Sequence, residues 1–453
     1  MEAGAVPQAA LPVMNTASHI LHGLWRCPQA EQLRFNSLDL WVDLVKTLER
    51  GNFDVIFFAD VHGVYGRAGG SHRKYVESGL QIPSNDPSVI LSALAYHTEH
   101  LGLAFTNSIV QEHPFNFARK ISTLDHASQG RIAWNIVTNS LTNGARNCGF
   151  DDLTPHDERY AWAEKYMEVT YKLWEGPWDD GALLQDRALG LHGDPTKVHR
   201  INHSGKRYRV EGPHLVAPSP QRTPYLFQAG ASPAGMRFGA AHAEAQFLIT
   251  PSPTAAAALI SQMRALLPSF GRKPTEIKFF QGLSFVIGSS EEEARRKDRE
   301  HDEGIDQQAM IMHLGAGLDL DLESCPLDLP IAELETEGVK GLLDWVRGAV
   351  QGREPTVRDI GLLASRASRV TGTPEQIADQ LAIWQEAGID GINVINATIP
   401  GSYEEFIDFV MPVLRRRGLA RNHYEAGSLR HKLSGRDTVP PSHPAARYRG
   451  AFS

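Results

Sequence analysis

The sequence predicts an α/β fold, a (β/α)8 TIM barrel that forms a single domain over residues 1–453. Two observations predict it. Short apolar runs alternate with amphipathic helical segments, which is typical of parallel sheets, and eight such runs can be counted along the chain. A chain of 453 residues also suits a barrel with extended loops. An open, doubly wound sheet would fit the alternation as well, but the count of eight favours the barrel.

The clearest strand–helix unit covers residues 37–60. Ser37 fits a helix N-cap, apolar residues follow at helical spacing, and Gly51 closes the helix. Residues 53–59 then form a nearly continuous apolar run, as strands buried on both faces do. The run ends at Asp60, so a carboxylate stands at the C-terminal end of a predicted strand, where barrels carry their active sites.

The same pattern predicts the rest of the barrel. A capping box at Thr373 and Gln376 begins one late helix, and Ser402 and Glu405 are predicted to cap a final helix through Leu414. The tail from about residue 430 is rich in Pro, Arg, Ser and His and is predicted to wrap the surface. The other seven strands are predicted at residues 11–15, 102–106, 132–138, 224–228, 245–249, 277–286 and 391–397, with insertions at about 139–223 (after strand 4) and 290–370 (after strand 7).

Composition excludes several classes of protein. The net charge of −8 gives no electrostatic reason to expect nucleic acid. Three widely spaced cysteines argue against a disulfide framework and fit a reducing cytoplasm. We expect no secretory signal and no membrane span, because no apolar run is long enough. Dinucleotide, P-loop, zinc-protease and hydrolase-elbow motifs are missing from the sequence. A bound organic cofactor is therefore favoured over a metal or a protein nucleophile.

Several short strings in a fixed order give a more specific indication. Each string is weak alone, but together they resemble the nitrilotriacetate and dibenzothiophene sulfone monooxygenase branch of the luciferase-like flavin enzymes. Within that branch the long-chain alkane monooxygenases are most similar. The strings are HGLWR at 22–26, TLDH at 123–126 followed by Gly130 and Arg131, WNIVT at 134–138, HDERY at 156–160, LWE at 173–175, PQRTP at 220–224 and QAGAS at 228–232.

The resemblance implies a flavin-dependent monooxygenase that is a homodimer or a dimer of dimers. In such enzymes a separate NAD(P)H:flavin reductase supplies reduced FMN, which meets O2 to give a C4a-(hydro)peroxyflavin that oxygenates a small organic substrate. An alkane-like or organosulfur substrate is expected. Two alternatives stay open: a deazaflavin-dependent oxidoreductase on the same barrel, and a non-catalytic flavin-binding protein.

The resemblance also assigns roles to residues. Two positions depart from the alkane enzymes, and at the first of them Thr16 stands where they have a cysteine. At the second, Ser140 stands where they have a histidine. The resemblance therefore implies the oxygenation chemistry of the alkane enzymes more strongly than it implies their substrate. The implied flavin contacts are Asp60, Thr106, His156, Tyr160, Ala231 and Ser232. The implied catalytic, substrate-side residues are His19, Tyr65, Gln81, Ser140 and His313.

Overall fold

The structure is a computed structural model that describes residues 8–66, 71–317, 325–333, 346, 350 and 352–453. Eight parallel strands close into a barrel, since the first strand pairs with both the second and the last. The predicted TIM barrel is therefore confirmed. A ninth strand, which the sequence did not predict, extends the sheet beyond the seventh barrel strand.

The barrel strands follow one another in chain order around the barrel. Their bounds are β1 (Gln8–Met14), β2 (Val55–Ala59), β3 (Gly102–Ser108), β4 (Ile132–Val137), β9 (Tyr225–Gln228), β10 (Ala245–Leu248), β11 (Lys278–Ile287) and β13 (Gly391–Ile395). The remaining strands are β5 (Leu183–Asp186), β6 (Leu191–Gly193), β7 (His203–Ser204), β8 (Arg209–Val210) and the extra strand β12 (Arg369–Gly372).

Helices surround the barrel and fill the two insertions. They are α1 (Leu38–Arg50), α2 (Arg73–Ser78), α3 (Pro87–Tyr96), α4 (Pro114–Ala127), α5 (Thr142–Asn147), α6 (His156–Glu175), α7 (Pro233–His242), α8 (Pro253–Leu266), α9 (Glu291–Gly304), α10 (Gln307–Gly317), α11 (Val357–Arg366), α12 (Pro374–Glu386), α13 (Gly401–Glu405), α14 (Met411–Arg416) and α15 (Leu429–Ser434).

Local signals placed most helix ends correctly. Ser37 is the N-cap of α1, and Thr373 and Gln376 form both hydrogen bonds of the predicted capping box at α12. The prediction for Ser402 was wrong, because Pro400 is the N-cap of α13. The Ser402 hydroxyl instead accepts hydrogen bonds from the backbone N–H groups of Ala397 and Thr398, and so shapes the loop after β13.

Aromatic and small side chains fill the inside of the barrel. Phe227 and Phe247 stack with their ring centroids 4.7 Å apart, and Phe57 lies 4.4 Å from Phe247. Small residues such as Ala104 and Ala133 stand on the strands between them. This alternation of large and small residues closes the barrel interior below its C-terminal mouth.

The C-terminal helix α15 closes the opposite, N-terminal end of the barrel. Leu429 and Leu433 join the interior cluster, and Arg430 is fully buried. The Arg430 guanidinium pairs with Glu244 at 2.7 Å and donates to the carbonyls of Thr223 and Pro224. The prediction of a tail that only wraps the surface was therefore wrong for this helix. The sequence alone shows only that Arg430 and Lys432 are charged. That Arg430 is buried could not be predicted without knowing that Glu244 lies beside it, because a charge is buried only with a partner.

None of the described helices combines the length and apolar character that a membrane crossing demands.

Candidate active site

An apolar cavity of about 1050 Å³ opens at the C-terminal mouth of the barrel. Ile249 lies 66 % exposed in its wall, an unusual exposure for an isoleucine beside a barrel strand. The polar groups of the cavity are few and come from the barrel strands and the loops that follow them. Residues that line it include Phe57, Ala59, Phe247, Leu248, Ile249 and Ile395, together with the polar His19, Asp60, Thr106, Asn135 and Asn393.

Asp60 joins this cavity to two neighbouring pockets, of about 770 Å³ and 860 Å³. The first neighbour contains Ser140 and Tyr160, and the second contains Gln81. Asp60 directly follows β2, as the sequence predicted. A ligand that extended from the apolar cavity into either neighbour would pass Asp60.

The carboxyl group of Asp60 is easily neutralised. Burial raises its pKa to about 7, and the nearby Asp86 adds to the rise, while the backbone N–H of Val61 opposes it. His62 Nε2 lies 3.5 Å from an Asp60 carboxyl oxygen, too far for a hydrogen bond. Burial also lowers the pKa of His62, so this ring does not supply a firm positive charge to Asp60.

A polar cradle forms at the N-terminus of α7, outside the apolar cavity. The Ser232 hydroxyl caps the helix by accepting from the N–H of Gly235, and it lies 3.2 Å from Nε2 of His156. The rings of His156 and Tyr160 are 5.2 Å apart at the start of α6. Three of the predicted flavin contacts therefore converge at a helix N-terminus, which favours anions.

Two glycines keep this cradle open. A Cβ at Gly230 would lie 2.7 Å from the Tyr160 hydroxyl oxygen and 2.4 Å from Gln228 Nε2. A Cβ at Gly235 would also lie 2.7 Å from the Tyr160 hydroxyl oxygen. Neither glycine can be replaced without displacing Tyr160 or its neighbours. The need for close approach explains the glycine in the QAGAS string.

Two other predicted flavin contacts, Thr106 and Ala231, line the apolar cavity. The Thr106 hydroxyl accepts a hydrogen bond of 3.0 Å from the amide of Asn135. The carbonyl oxygen of that amide, Asn135 Oδ1, is buried with no partner in the described part of the chain, and so is Asn393 Oδ1. These two acceptors are free for a ligand that carries N–H groups.

Four of the five predicted catalytic residues form one cluster. The Tyr65 hydroxyl donates to Gln81 Oε1 at 2.8 Å, and Gln81 Nε2 donates to the backbone carbonyl of His19 at 2.7 Å. The ring of His313, on α10, lies 5.2 Å from the Tyr65 ring. Residues from the segments that follow β1 and β2 and from the insertion after β11 thus meet beside the cavity.

Burial keeps the histidines of this cluster neutral. Burial and the nearby His313 lower the pKa of His19 to about 3, against a weaker opposing effect of the Pro12 backbone. Burial alone lowers the pKa of His313 to about 4. The described residues contain no group of three His, Cys, Asp or Glu side chains arranged to hold a metal ion.

The two positions that depart from the alkane enzymes differ in their surroundings. Thr16 is buried, and its hydroxyl donates to the carbonyl of Pro83 at 2.6 Å, so it fixes the loop rather than facing the ligand. Ser140 is exposed in the pocket that also contains Tyr160, apart from the histidine cluster. It stays a candidate for contact with a ligand there.

Sequence reasoning missed several polar residues of the site. His22 lies in the HGLWR string, which assigns it no role, yet it is fully buried and hydrogen-bonded to His313. Ser18, which bonds to His22, carried no signal at all. Asn135 stands in the WNIVT string and could have been found from the position of that string at a strand end. Asn393 stands in β13, and its buried side-chain oxygen is likewise an acceptor without a partner among the described residues.

The residues present fit a flavin mononucleotide. An apolar cavity with free amide acceptors matches a flat ring system that has N–H groups, and the cradle at α7 matches a phosphate. Asp60 stands between the two regions. If a flavin mononucleotide bound here, the cavity residues with Asn135 and Asn393 would hold its ring system, and the residues at the N-terminus of α7 would hold its phosphate.

Comparison with known proteins agrees with a flavin-binding site. A sequence profile described as luciferase-like monooxygenase matches residues 14–391. The chain belongs to this family. It is 40 % identical over 445 residues to a dimethyl-sulfide monooxygenase of Hyphomicrobium sulfonivorans, covering 97 % of this chain and 93 % of that protein. It is also 40 % identical over 444 residues to the long-chain alkane monooxygenase of Geobacillus thermodenitrificans, covering 97 % of both chains.

A solved structure of a family relative extends the comparison to a bound flavin. The chain is similar to a riboflavin lyase crystallised with modified FMN and riboflavin, with a TM-score of 0.88 and 34 % identity. The match covers 98 % of this chain and 99 % of that chain. The similarity that the sequence motifs indicated is confirmed, and this luciferase-like monooxygenase is an enzyme.

Proposed function

We propose that this luciferase-like monooxygenase is a two-component enzyme that takes reduced FMN from a separate flavin reductase. It uses O2 to oxygenate a small, largely apolar substrate, either alkane-like or an organosulfur compound. When bound, reduced FMN supplies two electrons, so that one oxygen atom enters the substrate and the other leaves as water. The homodimer and the cytoplasmic location stay predictions.

One observation carries the proposal. Asp60 lines a large apolar cavity and also the neighbouring pocket that contains Tyr160 of the α7 cradle. A ligand with an apolar ring at one end and an anion at the other would bridge these two regions. The relative crystallised with modified FMN has the same fold, which supports FMN as that ligand.

The chain's own contribution is to exclude water and to orient the reactants. Phe57, Phe247 and Ile395 give the cavity an apolar wall, which limits solvent access. The neutral rings of His19 and His313 can donate or accept a hydrogen bond beside that wall without bringing in a charge. Tyr65 and Gln81 hold the loop that carries His19.

The lining favours an uncharged substrate. No lysine or arginine is among the described residues that line the apolar cavity. A polycarboxylate would require such partners, since burying an unpaired carboxylate is costly. Relatives act on dimethyl sulfide and long-chain alkanes by name, which agrees with an apolar or sulfur-containing substrate here.

The test is a product screen with purified protein, a flavin reductase, NADH, FMN and ¹⁸O-labelled O2. Alkanes, thioethers, sulfones and aromatic compounds are offered separately, and products are read by mass spectrometry. We expect one substrate class to gain a single labelled oxygen atom, only when reduced FMN is present. An anaerobic titration with reduced FMN and with reduced deazaflavin runs in parallel.

Two results would contradict the proposal. Tighter binding of the deazaflavin, with substrate turnover independent of oxygen, would favour the hydride-transfer alternative. Hydrogen peroxide as the sole product across the whole panel would favour a flavin-binding protein without catalysis. A variant with Phe247→Ala serves as a control, because an enlarged cavity should release more peroxide per oxygen consumed than the native protein.

A further inference from the structure

Three buried side chains form a hydrogen-bonded chain that the proposed function does not use in full. Ser18 Oγ lies 2.6 Å from Nδ1 of His22, and Nε2 of His22 lies 2.9 Å from Nδ1 of His313. Ser18 and His22 stand in the loop after β1 and are 5 % and 0 % exposed. His313 comes from α10, almost three hundred residues later in the chain.

The direction of hydrogen bonding in this chain is set at its Ser18 end. Burial lowers the pKa values of His22 and His313, so both rings are neutral and each has one N–H and one bare nitrogen. Ser18 Oγ has a single hydrogen-bond partner in the described part of the chain, His22 Nδ1. If Ser18 accepted from that nitrogen, its own buried hydroxyl hydrogen would lack an acceptor, which is unfavourable for a buried polar group.

The lower-energy arrangement therefore has Ser18 as the donor. His22 Nδ1 is then the bare nitrogen, and His22 Nε2 carries the proton. His22 in turn donates to Nδ1 of His313, which leaves the proton of His313 on Nε2. That nitrogen has no partner among the residues that the structure describes, so its N–H is available to a ligand.

We propose that Ser18 and His22 are positioning residues that hold His313 in the Nε2–H form, so that His313 offers a hydrogen-bond donor to an oxygen atom in the site. The inference rests on the proposed function for the identity of that oxygen atom, which belongs to O2 or to the oxygenated product. The tautomer itself depends only on the three side chains. The reverse arrangement would make His313 an acceptor, which an oxygen atom without a proton cannot satisfy.

The location of His313 supports this role. Its ring lies edge-on to both His22 and Tyr65, at 4.9 Å and 5.2 Å between centroids, so neighbours on two sides fix its orientation. Tyr65 also links His313 to the apolar cavity, since its hydroxyl donates to Gln81, which donates to the backbone carbonyl of the cavity-lining His19. A ring fixed on two sides keeps its remaining nitrogen in one direction, which is what an oriented donor requires.

The first experiment reads the tautomers directly in the native protein without flavin or substrate. Protein labelled with ¹⁵N-histidine is studied by long-range ¹H–¹⁵N correlation spectroscopy, with signals assigned through His22→Gln and His313→Gln variants. We expect a proton on Nε2 of both rings. With Ser18→Ala, Nδ1 of His22 lacks a partner in either arrangement, so we expect a mixture of tautomers. Ser18→Thr, which retains the hydroxyl, should restore the single form, and Ser18→Cys replaces it if threonine does not fit.

The second experiment reads the consequence for turnover. Loss of one oriented hydrogen bond is worth roughly tenfold, so Ser18→Ala should lower the rate of product formation about tenfold. The dissociation constant of reduced FMN should stay within twofold, and Ser18→Thr should recover the rate. A proton on Nδ1 of His313 in the native protein would overturn the inference, as would unchanged tautomers in Ser18→Ala. If no substrate is oxygenated at all, the proposed function fails while the spectra still decide the tautomer.

Discussion

Replacing Asp60 by asparagine should stabilise the flavin-free protein, and more so as the pH rises. The folded-state pKa of Asp60 is raised to about 7 from an ordinary value of 3.8. Between these values the unfolded chain has an ionised Asp60 and the folded chain has a protonated one. The folded state therefore binds more protons, and the native protein loses stability as the pH rises through this window.

The size of the effect follows from the shift. One pKa unit corresponds to 1.36 kcal/mol, so a rise of roughly three units costs the native protein about 4 kcal/mol above pH 7. Part of this cost is already present at pH 5. The stabilisation of Asp60→Asn should therefore grow by about 2–3 kcal/mol between pH 5 and pH 8. Differences that do not depend on pH, such as a changed hydrogen bond to the Val61 backbone, cancel in this comparison.

The assay is urea unfolding of both proteins at pH 5 and pH 8, followed by tryptophan fluorescence. Asp43→Asn is the matched control, because Asp43 is exposed on α1 and lines none of the three cavities that share Asp60. The control should unfold at the same urea concentration as the native protein at both pH values. A stability difference for Asp60→Asn that is equal at pH 5 and pH 8 would refute the reasoning, since the Asp60 carboxyl would then not be shifted by burial.

Three further predictions concern other parts of the molecule. Ser232→Ala and His156→Ala should each weaken FMN binding about 10–100-fold in fluorescence titrations. Riboflavin binding should be unchanged, because riboflavin lacks the phosphate. Equal losses of affinity for both ligands would contradict a phosphate site. Arg430→Met should lower the free energy of unfolding by about 3–5 kcal/mol, since it leaves the buried Glu244 carboxylate without its partner. Adding Glu244→Gln to this variant should recover part of the lost stability in the same urea assay. No recovery would contradict the ion-pair role of Arg430. Ala59→Leu narrows the apolar cavity and should raise KM for longer substrates more than for short ones, whereas a uniform change would place the substrate elsewhere.

Much of the fold could be predicted from local sequence. The apolar run that became β2 and the capping box at Thr373 are signals contained within a few residues. The extra strand β12 could not be predicted in this way, because its partner β11 lies about eighty residues earlier and half of its residues are only partly buried. The role of α15 was missed for a related reason. Its Leu429 and Arg430 fit a surface helix until the barrel base that receives them is known.

The residues of the candidate site also divide into those that local sequence could predict and those that it could not. Asp60 and Ser232 stand at a strand end and a helix start, so the sequence could place them in the mouth. His313 was found only through the family resemblance, because it reaches the site from an insertion of no regular pattern. Ser18 and His22 were not assigned a role, since their importance lies in two hydrogen bonds that no sequence spacing encodes.

The charges of the mouth suggest one last test, because Asp60 and the histidine cluster respond to pH in opposite directions. Burial lowers the pKa of His313 to about 4, so below pH 6.5 the unfolded chain takes up a proton that the folded chain refuses. The histidine therefore removes stability as the pH falls from 6.5 to 4, by about 3 kcal/mol, whereas Asp60 adds stability over the same range. His313→Gln should accordingly gain stability relative to the native protein as the pH is lowered, and the exposed His192→Gln should not. If the two variants lost the same stability between pH 6.5 and pH 4 in urea unfolding, the His313 ring would be protonated in the folded protein. The hydrogen-bonded chain of Ser18, His22 and a neutral His313 would then not exist in this pH range.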